Sequence, residues 1–472
     1  MIWVKIDRSS DIPIYRQLRE QLVNRILCGK LKGGDRLPST RQFAHDIGVS
    51  RHTVTEVYDQ LFAEGYIESR TGSGTYVTQD IQIESFIDPR HKESLPKVEE
   101  KQIRSPDRIE FLCGVPDKQS FPRNRWFQCL RQELFFGESN PVDYGAAMGS
   151  EELRRELCRY LSNSKNIHCS PNQIFIVTGT AQALLLLSVF FRERFSAIYI
   201  EDPVVDYVAD IFLKNSYRLF SIQVDHQGMQ VRNLKSSTTP GLVFVSPSHQ
   251  FPMGSVLPIS RRIELIKTAR QRDHLIIEDD YDNEFRFDGP PIQSLHMLDA
   301  DRVIHLGTFS KTLGAGLRLG YMVIPPAFCE DLLAFKKSIH MSTAVLEQAA
   351  LARFIREGYF ERHVGRMKKR YRSKMLGLTR ALKEHFGDRV EISGNKTGMH
   401  LMARFSGVVF DDRLKHAIEA ANLVVEYLDD YSLSSSEPKE SLILGYGNLS
   451  EAEIDEGVTR LSGVIRFRER ET

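Results

Sequence analysis

Lys311 is the residue around which the most reactive set of side chains can be assembled. It stands in GTFSKTLGAGLRLGY, residues 307–321, ahead of a glycine-rich stretch that leads to Arg318. Asp279 and Tyr281 stand in IIEDDYD, at the end of an apolar run. A cofactor with an aldehyde on a pyridine ring needs an amine to form an imine and a carboxylate to keep the ring nitrogen protonated. It also needs a phenol beside the ring hydroxyl and a cation for its phosphate. These four side chains supply one group for each need, whereas an isolated lysine is usually a solvated surface charge.

A phosphate also needs N–H donors, and the segment TGTAQAL offers them. Gly179 and Thr180 follow an apolar run and open a helical pattern, so backbone and hydroxyl donors can meet a phosphate at a helix N-terminus. Thr308 ends another apolar run just before the lysine. Each of these signals is weak alone, but together they place polar groups at the ends of successive apolar runs.

A sheet whose strands end at one edge can bring these residues together. From residue 109 onward short apolar runs, such as IFIVTG, AIYIED and GLVFVSPS, alternate with helical stretches such as SRRIELIKTARQRD. This alternation predicts an α/β domain over residues 109–472, with helices on both faces of a mostly parallel sheet. Ligands of such sheets bind at the carboxyl ends of the strands, where the polar residues stand.

A smaller domain is predicted for residues 1–78. Ile14, Leu18, Leu22 and Ile26 recur every four residues and predict an amphipathic helix. Two more helices are predicted in RLPSTRQFAHDIGVSRHTVTEVYDQLFAEGY, and YIESRTGSGTYV alternates like two strands around a turn. Three helices and a wing form a DNA-binding arrangement whose last helix enters the major groove. A small helical bundle with a hairpin and no nucleic-acid partner is the alternative.

Helix-end signals support this division. Ser39 and Gln42 have the spacing of a capping box, Gly48 suits a left-handed helix end, and Ser50 can cap the last helix.

The N-terminal domain resembles the winged helix of the GntR regulator family, through PIYRQL, LPSTRQFA, VSRHTV and LFAEGYIESRTGSGTYV. The resemblance implies an α+β winged helix-turn-helix that binds a double-stranded DNA operator. Arginine suits both phosphate and guanine, while serine and threonine position the backbone. Thr55 stands where that family often has a further basic residue. Carried over by position, the implied DNA contacts are Arg41, Ser50, Arg51, Thr53 and Gly74.

Residues 79–108 predict an exposed linker, because their charges alternate and Pro89, Pro96 and Pro106 interrupt them. A charged surface helix is the alternative, which the prolines disfavour.

Composition favours a multi-domain globular chain without a membrane segment. The chain has 472 residues with 41% hydrophobic and 26% charged residues, and its net charge is +1. Its longest apolar run, near ALLLLSVFF, is too short to span a bilayer, and MIWVKIDRSS lacks the regions of a secretory signal. The six cysteines form no CxxC pair, so we expect reduced thiols, a cytoplasmic location and no metal site.

The larger domain resembles the class I/II aminotransferases of pyridoxal phosphate fold type I, through VDYGAAMGSEELRRELCRYL, SPSHQFPMG, IIEDDYDNEFRF and GTFSKTLGAGLRLGY. The whole chain resembles the MocR-type (GabR-like) regulators, the GntR subfamily that joins a winged helix to an aminotransferase-like domain. The resemblance implies that pyridoxal 5'-phosphate is the cofactor and that a homodimer, head-to-tail, is the functional unit.

Site roles follow from the same resemblance. Lys311 would form the Schiff base, Asp279 would pair with the pyridine nitrogen, and Tyr281 would bond the ring oxygen. Tyr144, in YGAAMG, would reach the phosphate bound by the partner subunit. The phosphate would be held by Gly179, Thr180, Thr308 and Arg318, and the pocket would include His249 and Gln250.

Two departures from the aminotransferase pattern bear on function. In EDPVVDY, Val205 stands where relatives stack a tyrosine on the ring, and Tyr207 follows two residues later. Ser441 stands about where aminotransferases place the arginine that binds a carboxylate, although Arg413 or another residue could replace it. Without an arginine fork an α-amino acid binds weakly.

Three hypotheses remain. The first is a transcription regulator whose large domain senses pyridoxal phosphate or a small amino compound through Lys311. The second is an active aminotransferase that carries a DNA-binding domain, and the third is a DNA-binding dimer that has lost its cofactor. The departures favour sensing over turnover, and the intact Lys311, Asp279, Tyr281 and Arg318 disfavour loss of the cofactor.

Overall fold

The computed structural model describes residues 4–79, 107–137, 144–236, 238–339, 342–434 and 439–469. The chain divides into two compact units, Met1–Ile103 and Arg104–Thr472. Most of the predicted linker, residues 80–106, lies outside the described residues. In the described part of the chain, no helix has both the length and the apolar character needed to cross a membrane.

The N-terminal unit is a winged helix, as predicted. It contains α1 (Ile14–Leu27), α2 (Thr40–Ile47), α3 (Arg51–Ala63), β1 (Ile67–Arg70) and β2 (Gly74–Val77). The two strands are antiparallel, with Arg70 opposite Gly74 at the tip of the wing. One buried cluster, which includes Leu18, Leu22, Phe43, Val54 and Leu61, joins the three helices to the base of the wing.

Local hydrogen bonds define the ends of α2 and α3. Ser39 accepts from the backbone N–H of Gln42 at 3.2 Å, and Ser50 accepts from that of Thr53 at 3.1 Å. The Gln42 side chain donates to Asp46 at 2.7 Å, so the reciprocal half of the expected capping box is not formed.

The large unit begins with a layered α/β region, whose helices and strands alternate along the chain. In order they are β3 (Ile109–Glu110), α4 (Arg123–Phe136), α5 (Glu151–Lys165), β4 (Ile174–Val177), α6 (Thr180–Phe190), β5 (Ala197–Asp202), α7 (Asp206–Lys214), β6 (Arg218–Asp225), β7 (Gly228–Met229), β8 (Gly241–Val245), α8 (Ile259–Arg272), β9 (Leu275–Asp280), β10 (Val303–Thr308), β11 (Gly320–Val323) and α9 (Cys329–Ile339).

Its principal sheet has the strand order β4-β11-β10-β9-β8-β5-β6-β7. Strands β10, β9, β8, β5 and β6 are parallel to their neighbours in this series, whereas β11 is antiparallel to both β10 and β4. The prediction of a mostly parallel sheet is confirmed. The central strands are buried along their whole length, as expected for a sheet covered on both faces.

After α9 comes the helix α10 (Val345–Arg356), which packs against α4 and α5. The elements beyond it build a second, smaller layer around a four-stranded sheet of order β12-β13-β16-β15. Its core is one apolar cluster that includes Phe285, Tyr371, Leu401 and Leu444. The elements are α11 (Tyr359–Phe386), β12 (Val390–Ser393), β13 (His400–Phe405), α12 (Asp412–Ala420), β14 (Leu423–Val424), β15 (Glu426–Tyr427), β16 (Ser441–Gly445) and α13 (Glu451–Glu469).

Candidate cofactor site and DNA-binding surface

A cavity of about 360 Å³ opens at the carboxyl ends of the parallel strands. Its wall receives residues from the ends of β4, β5, β8, β9 and β10, which is where ligands of such sheets bind. Residues of the small layer close the opposite side. Seven of the predicted cofactor residues line this cavity: Gly179, Thr180, Asp279, Tyr281, Thr308, Lys311 and Arg318.

The antiparallel strand β11 brings the predicted phosphate residues together. Its first residue, Gly320, pairs with Thr308 on one side and with Val177 on the other. A Cβ atom at Gly320 would lie 3.2 Å from the Cα of Gly179, so a side chain there would crowd the turn that follows β4. This register places the Gly179 turn, Thr308 and Arg318 at one end of the cavity.

The backbone around this end adopts conformations that few residues tolerate. Gly179 has φ of 136° and precedes the first turn of α6. Arg318 has φ of 51°, in the left-handed region that costs a residue with a Cβ roughly 1–2 kcal/mol. Strain of this kind clusters at functional sites, where it is retained because it aims a side chain. Arg318 has no ion pair within the described residues and is free to bind an anion.

Lys311 lies in a single wide helical turn, Ser310–Gly314, directly after β10. Its Nζ donates to the carbonyl of Gly114 at 2.9 Å. Gly114 has φ of 67°, which favours glycine, and a Cβ there would lie 2.2 Å from Nζ, so a side chain would displace the amine from this position. Burial lowers the pKa of Lys311, against the opposing effect of Asp282 and Asp279. A lowered pKa favours the neutral, nucleophilic amine.

The Asp279 carboxylate has no hydrogen-bond donor or ion-pair partner within the described residues, so it can bind a cationic group of a ligand. The side chain is buried, and its Oδ1 has no hydrogen-bond partner. Burial, and next the neighbouring Asp280, raise its pKa to about 7. An unpartnered carboxylate inside the same cavity as Lys311 and Arg318 fits the protonated ring nitrogen of pyridoxal phosphate. The residues therefore fit this cofactor.

Tyr281 is oriented by a pair of buried groups behind it. The Nδ1 atom of His249 lies 2.9 Å from an Asp282 carboxylate oxygen and 3.1 Å from the Tyr281 hydroxyl. Because a carboxylate can only accept, Nδ1 carries the proton. The Tyr281 hydroxyl can accept from it and keep its own proton for a ligand.

The other predicted pocket residues lie outside the cavity lining. Gln250 is buried and donates to the carbonyls of Pro203 and Phe251, at 2.8 and 2.7 Å. These two hydrogen bonds stabilise the loop after β8. Tyr144 is 84% exposed and makes no contact with the cavity of its own chain.

Of the two positions that depart from the aminotransferase pattern, Val205 lines the cavity and Ser441 does not. Val205 and Tyr207 both line the cavity, at the beginning of α7. Ser441 is buried in β16 outside the lining, and Arg413 is exposed on α12. Among the described residues that line the cavity, Arg318 is the single arginine.

Sequence reasoning missed one wall of the cavity, which we call the acceptor wall: Phe251, His400, Glu426 and Tyr431. Tyr431 donates to Glu426 Oε2 at 2.7 Å, and Phe251 packs edge-on against both His400 and Tyr431. These residues come from three separate segments, with Glu426 and Tyr431 on the same one, and no motif joins them in the sequence.

The spacing of His249, Asp282 and His400 resembles that of metal ligands, because their possible ligand atoms lie within 4.8 Å of one another. The two imidazoles are stacked, with ring centroids 4.8 Å apart and planes 29° apart. Because imidazole lone pairs lie in the ring plane, nearly parallel rings do not direct them at one ion. His400 lines the cavity, whereas His249 and Asp282 lie behind Tyr281.

The winged helix presents the predicted DNA residues on its surface. Arg41 on α2 and Arg51 at the first turn of α3 are exposed, and neither has an ion pair within the described residues. Ser50 and Thr53 are engaged with each other, their hydroxyls 2.8 Å apart. Gly74, at the wing, has φ of 118°.

Two further features of this surface were not predicted. The Arg36 side chain lies against the wing, 3.2 Å from where a Cβ of Gly74 would stand. Thr55 donates its hydroxyl to the carbonyl of Arg51 at 3.0 Å.

Together the two units define a class of protein: a DNA-binding regulator whose second domain has the fold and cofactor cavity of a fold type I aminotransferase. Residues 14–77 match the family model "Bacterial regulatory proteins, gntR family", and residues 125–461 match "Aminotransferase class I and II". The cofactor of this domain is pyridoxal phosphate.

Similar proteins share both the chain organisation and the fold. The "Probable rhizopine catabolism regulatory protein MocR" of Rhizobium meliloti is 33% identical over 467 residues, which cover 97% of this chain and 94% of that protein. The "HTH-type pyridoxine biosynthesis transcriptional regulator PdxR" of Corynebacterium glutamicum is 30% identical over 358 residues, 76% of each chain. The crystal structure of a multiple substrate aminotransferase from Thermococcus profundus superposes with a TM-score of 0.71 at 24% identity, over 82% of this chain and 98% of that one. This chain belongs to the MocR-type subfamily of GntR transcription regulators.

Proposed function

We propose that the large domain is the sensor of this regulator, and that it responds to pyridoxal phosphate or to a small amino compound that exchanges with the Lys311 amine on the cofactor. The observation that carries the proposal is the unpartnered, buried Asp279 carboxylate in one cavity with Lys311 and Arg318. A domain that had lost its cofactor would be expected to have paired or replaced such a group, because an orphaned buried carboxylate costs stability.

When bound, the cofactor supplies an aldehyde that amines can capture. In this proposal Lys311 holds the cofactor covalently, Asp279 holds the proton on the ring nitrogen, and Tyr281 donates to the ring oxygen. Tyr207 or Val205 covers one face of the ring from the start of α7. The phosphate is held by Gly179, Thr180, Thr308 and Arg318, and His249 acts through Tyr281.

The effector class is narrowed by the arginine content of the cavity. Arg318 is committed to the phosphate, and no second arginine lines the described wall, so a free α-carboxylate would lack its usual partner. This supports sensing over efficient turnover of amino acids. The names of two relatives, one a regulator of pyridoxine biosynthesis and one of rhizopine catabolism, indicate that the subfamily serves different compounds.

The working unit is proposed to be a head-to-tail homodimer in the cytoplasm. Helix α4 and Tyr144 expose large apolar side chains, of which Phe136 is 83% exposed and Tyr144 84%. Monomers rarely leave such a patch in water. A second copy would cover it and bring its Tyr144 toward the phosphate of the first. The exposed apolar residues of this region are Phe127, Leu134, Phe135, Phe136 and Tyr144, of which Phe127 and Phe136 line one depression and Phe135 packs beside Phe136.

Operator DNA is proposed to lie against α3 and the wing. Arg41 and Arg51 would contact phosphates or guanine edges, since both are exposed and unpaired. Ser50 and Thr53 would position the backbone at the N-terminus of α3, and Gly74 would let the wing approach the duplex. The Thr55 hydroxyl is hydrogen-bonded within its own helix, to the carbonyl of Arg51.

The test is thermodynamic linkage between the two sites. A fluorescent duplex from upstream of the protein's own gene is titrated with the full chain, with and without pyridoxal phosphate. Reciprocity requires operator DNA to change cofactor affinity by the same factor that the cofactor changes operator affinity. Equal affinities in all arms, with or without added amines, would contradict sensing by this domain.

The Lys311→Ala variant is the matched control. It removes the covalent attachment and leaves the winged helix unchanged, so its operator affinity is expected to match that of the cofactor-free protein and to ignore added cofactor.

A further inference from the structure

Once the proposed cofactor is bound, the charges of the cavity do not balance. The charged side chains of its described lining are Lys311, Arg318, Asp279 and Glu426. The cofactor engages the first three: the lysine by covalent attachment, the arginine through the phosphate, and Asp279 through the ring nitrogen. Glu426 is left as a carboxylate facing the ligand space, and no lysine or arginine forms an ion pair with it within the described residues.

The dipeptide Cys113–Gly114 connects Glu426 to the amine of Lys311 by one hydrogen bond at each end. The backbone N–H of Cys113 donates to Glu426 Oε1 at 3.0 Å, and the carbonyl of Gly114 accepts from Lys311 Nζ at 2.9 Å. Two residues span at most about 7 Å and the two hydrogen bonds add 3.0 and 2.9 Å, so Lys311 Nζ and the Glu426 carboxylate are at most about 13 Å apart. Glu426 is near enough to act electrostatically on Lys311, where it raises the pKa of the amine against the larger effect of burial. A carboxylate offers about four acceptor positions, of which the Cys113 N–H, the Cys113 thiol and the Tyr431 hydroxyl occupy three, so one remains for a ligand.

His400 adds a second, independent acceptor to the same wall. Burial, and next the neighbouring His249, lower its pKa well below the ordinary value, so the ring is neutral. It bonds the Pro252 carbonyl, which can only accept, and its Nε2 has no partner although the residue is 1% exposed. The ring proton is therefore on Nδ1, and Nε2 has a lone pair that is buried and without a partner.

Phe251 completes the surface. Its ring lies between those of His400 and Tyr431, at centroid distances of 5.3 and 5.1 Å. An aromatic ring, a carboxylate and a neutral imidazole acceptor are groups that attract an ammonium ion. They repel a carboxylate, which would meet a like charge.

We infer that the acceptor wall, Phe251, His400, Glu426 and Tyr431, binds a cationic group, so that the effector is a diamine or another amine with a second positive charge. One nitrogen would replace the Lys311 amine at the aldehyde carbon of the cofactor, which releases Lys311 as a free amine, and the other nitrogen would be held by Glu426 beside the His400 ring. This inference rests on the proposed function and names the class of its effector.

The test compares three amines of one chain length that differ only at the far end: putrescine, 4-aminobutanoate and butylamine. Each is titrated into the cofactor-loaded full chain, and binding is followed by calorimetry and by the visible absorption spectrum. A charge-assisted hydrogen bond contributes enough to predict tighter binding of putrescine than butylamine by about tenfold to a hundredfold. The five-carbon set, cadaverine, 5-aminopentanoate and pentylamine, repeats the comparison at the next length.

Glu426→Gln is the variant that separates charge from shape. It keeps an oxygen for the Cys113 N–H and an amide for the Tyr431 hydroxyl, and it is expected to remove most of the preference for putrescine while leaving butylamine affinity within about twofold. Glu391→Gln is the matched control, because it removes the same charge from an exposed position on β12. If the Glu426 variant fails to fold, the wild-type comparison of the three amines still decides the matter.

The outcomes are distinguishable. Stronger binding of 4-aminobutanoate than putrescine, or equal binding of putrescine and butylamine at both lengths, overturns the inference. If no amine binds while pyridoxal phosphate alone changes operator affinity, the inference is wrong and the proposed function stands. If neither cofactor nor amine changes operator affinity, the proposed function fails as well.

Discussion

Replacing Asp279 by asparagine is expected to stabilise the cofactor-free protein while it weakens cofactor binding. The wild-type side chain is 7% exposed and its Oδ1 is unpartnered. Its pKa is raised from 3.8 to about 7, first by burial and second by Asp280. Folding therefore opposes ionisation of this group, and the stability of the protein falls as pH rises between these two values.

The magnitude follows from the shift. A difference of roughly 3 pKa units at 1.36 kcal/mol each gives a full penalty of about 4 kcal/mol above pH 7. Part of it is already present at pH 5, so about 2 to 3 kcal/mol develops between pH 5 and pH 8. The Asp279→Asn side chain carries no charge, so the stability advantage of this variant should grow over that interval and then level off.

Urea denaturation of the two cofactor-free proteins at pH 5 and pH 8 measures this advantage, with fluorescence of Trp126 in α4 as one probe of the large unit. Asp288→Asn, at an exposed position, is the control and should show no such pH-dependent gain. With pyridoxal phosphate added at pH 8 the order of stabilities should reverse, because only the aspartate can pair with the ring nitrogen. An advantage that is the same at pH 5 and pH 8 would refute the argument.

Three further predictions follow from the same structure. Lys311→Ala should leave no cofactor attached after borohydride reduction, as seen by mass spectrometry of the intact chain; attachment at another lysine would contradict its role. Arg41→Ala and Arg51→Ala should each weaken operator binding by about 1–3 kcal/mol if the arginine contacts a base edge, with a strong salt dependence in fluorescence anisotropy; Arg380→Ala in the other unit should change nothing. Phe136→Glu should shift the protein toward monomer in sedimentation velocity, and an unchanged mass would place the dimer interface elsewhere.

The sequence predicts the sheet and the residues at its carboxyl edge because short-range signals determine both. Apolar runs of four to eight residues with polar ends are typical of buried parallel strands, and the polar residues there converge by topology alone. Thr308 and Arg318 can thus be assigned to one site. No sequence pattern indicates that β11 lies antiparallel between β4 and β10. This pairing sets the register that brings Thr308 and Arg318 together.

The acceptor wall could not be predicted because long-range packing assembles it. Glu426 stands on the short strand β15, His400 begins β13, and Phe251 lies in the loop after β8. Their neighbours in sequence carry no motif, and the resemblance to aminotransferases is loose around Glu426. The sequence shows that an arginine is missing near Ser441. It does not show that Glu426 lines the cavity, because the position of Glu426 depends on how β15 pairs with β16.

The location of the acceptor wall suggests how a ligand could act on the regulator. Asp279 lies in β9 of the principal sheet and Lys311 directly follows β10, whereas Glu426 and His400 belong to the small layer. A molecule held at both ends connects the two layers of the large unit, and a molecule held only at Lys311 does not. A ligand shifts a conformational equilibrium only by its differential affinity for the two states, so the second contact is the one able to discriminate between them. Putrescine should therefore change operator affinity more than butylamine does when both saturate the site, and the Glu426→Gln variant should make their effects equal.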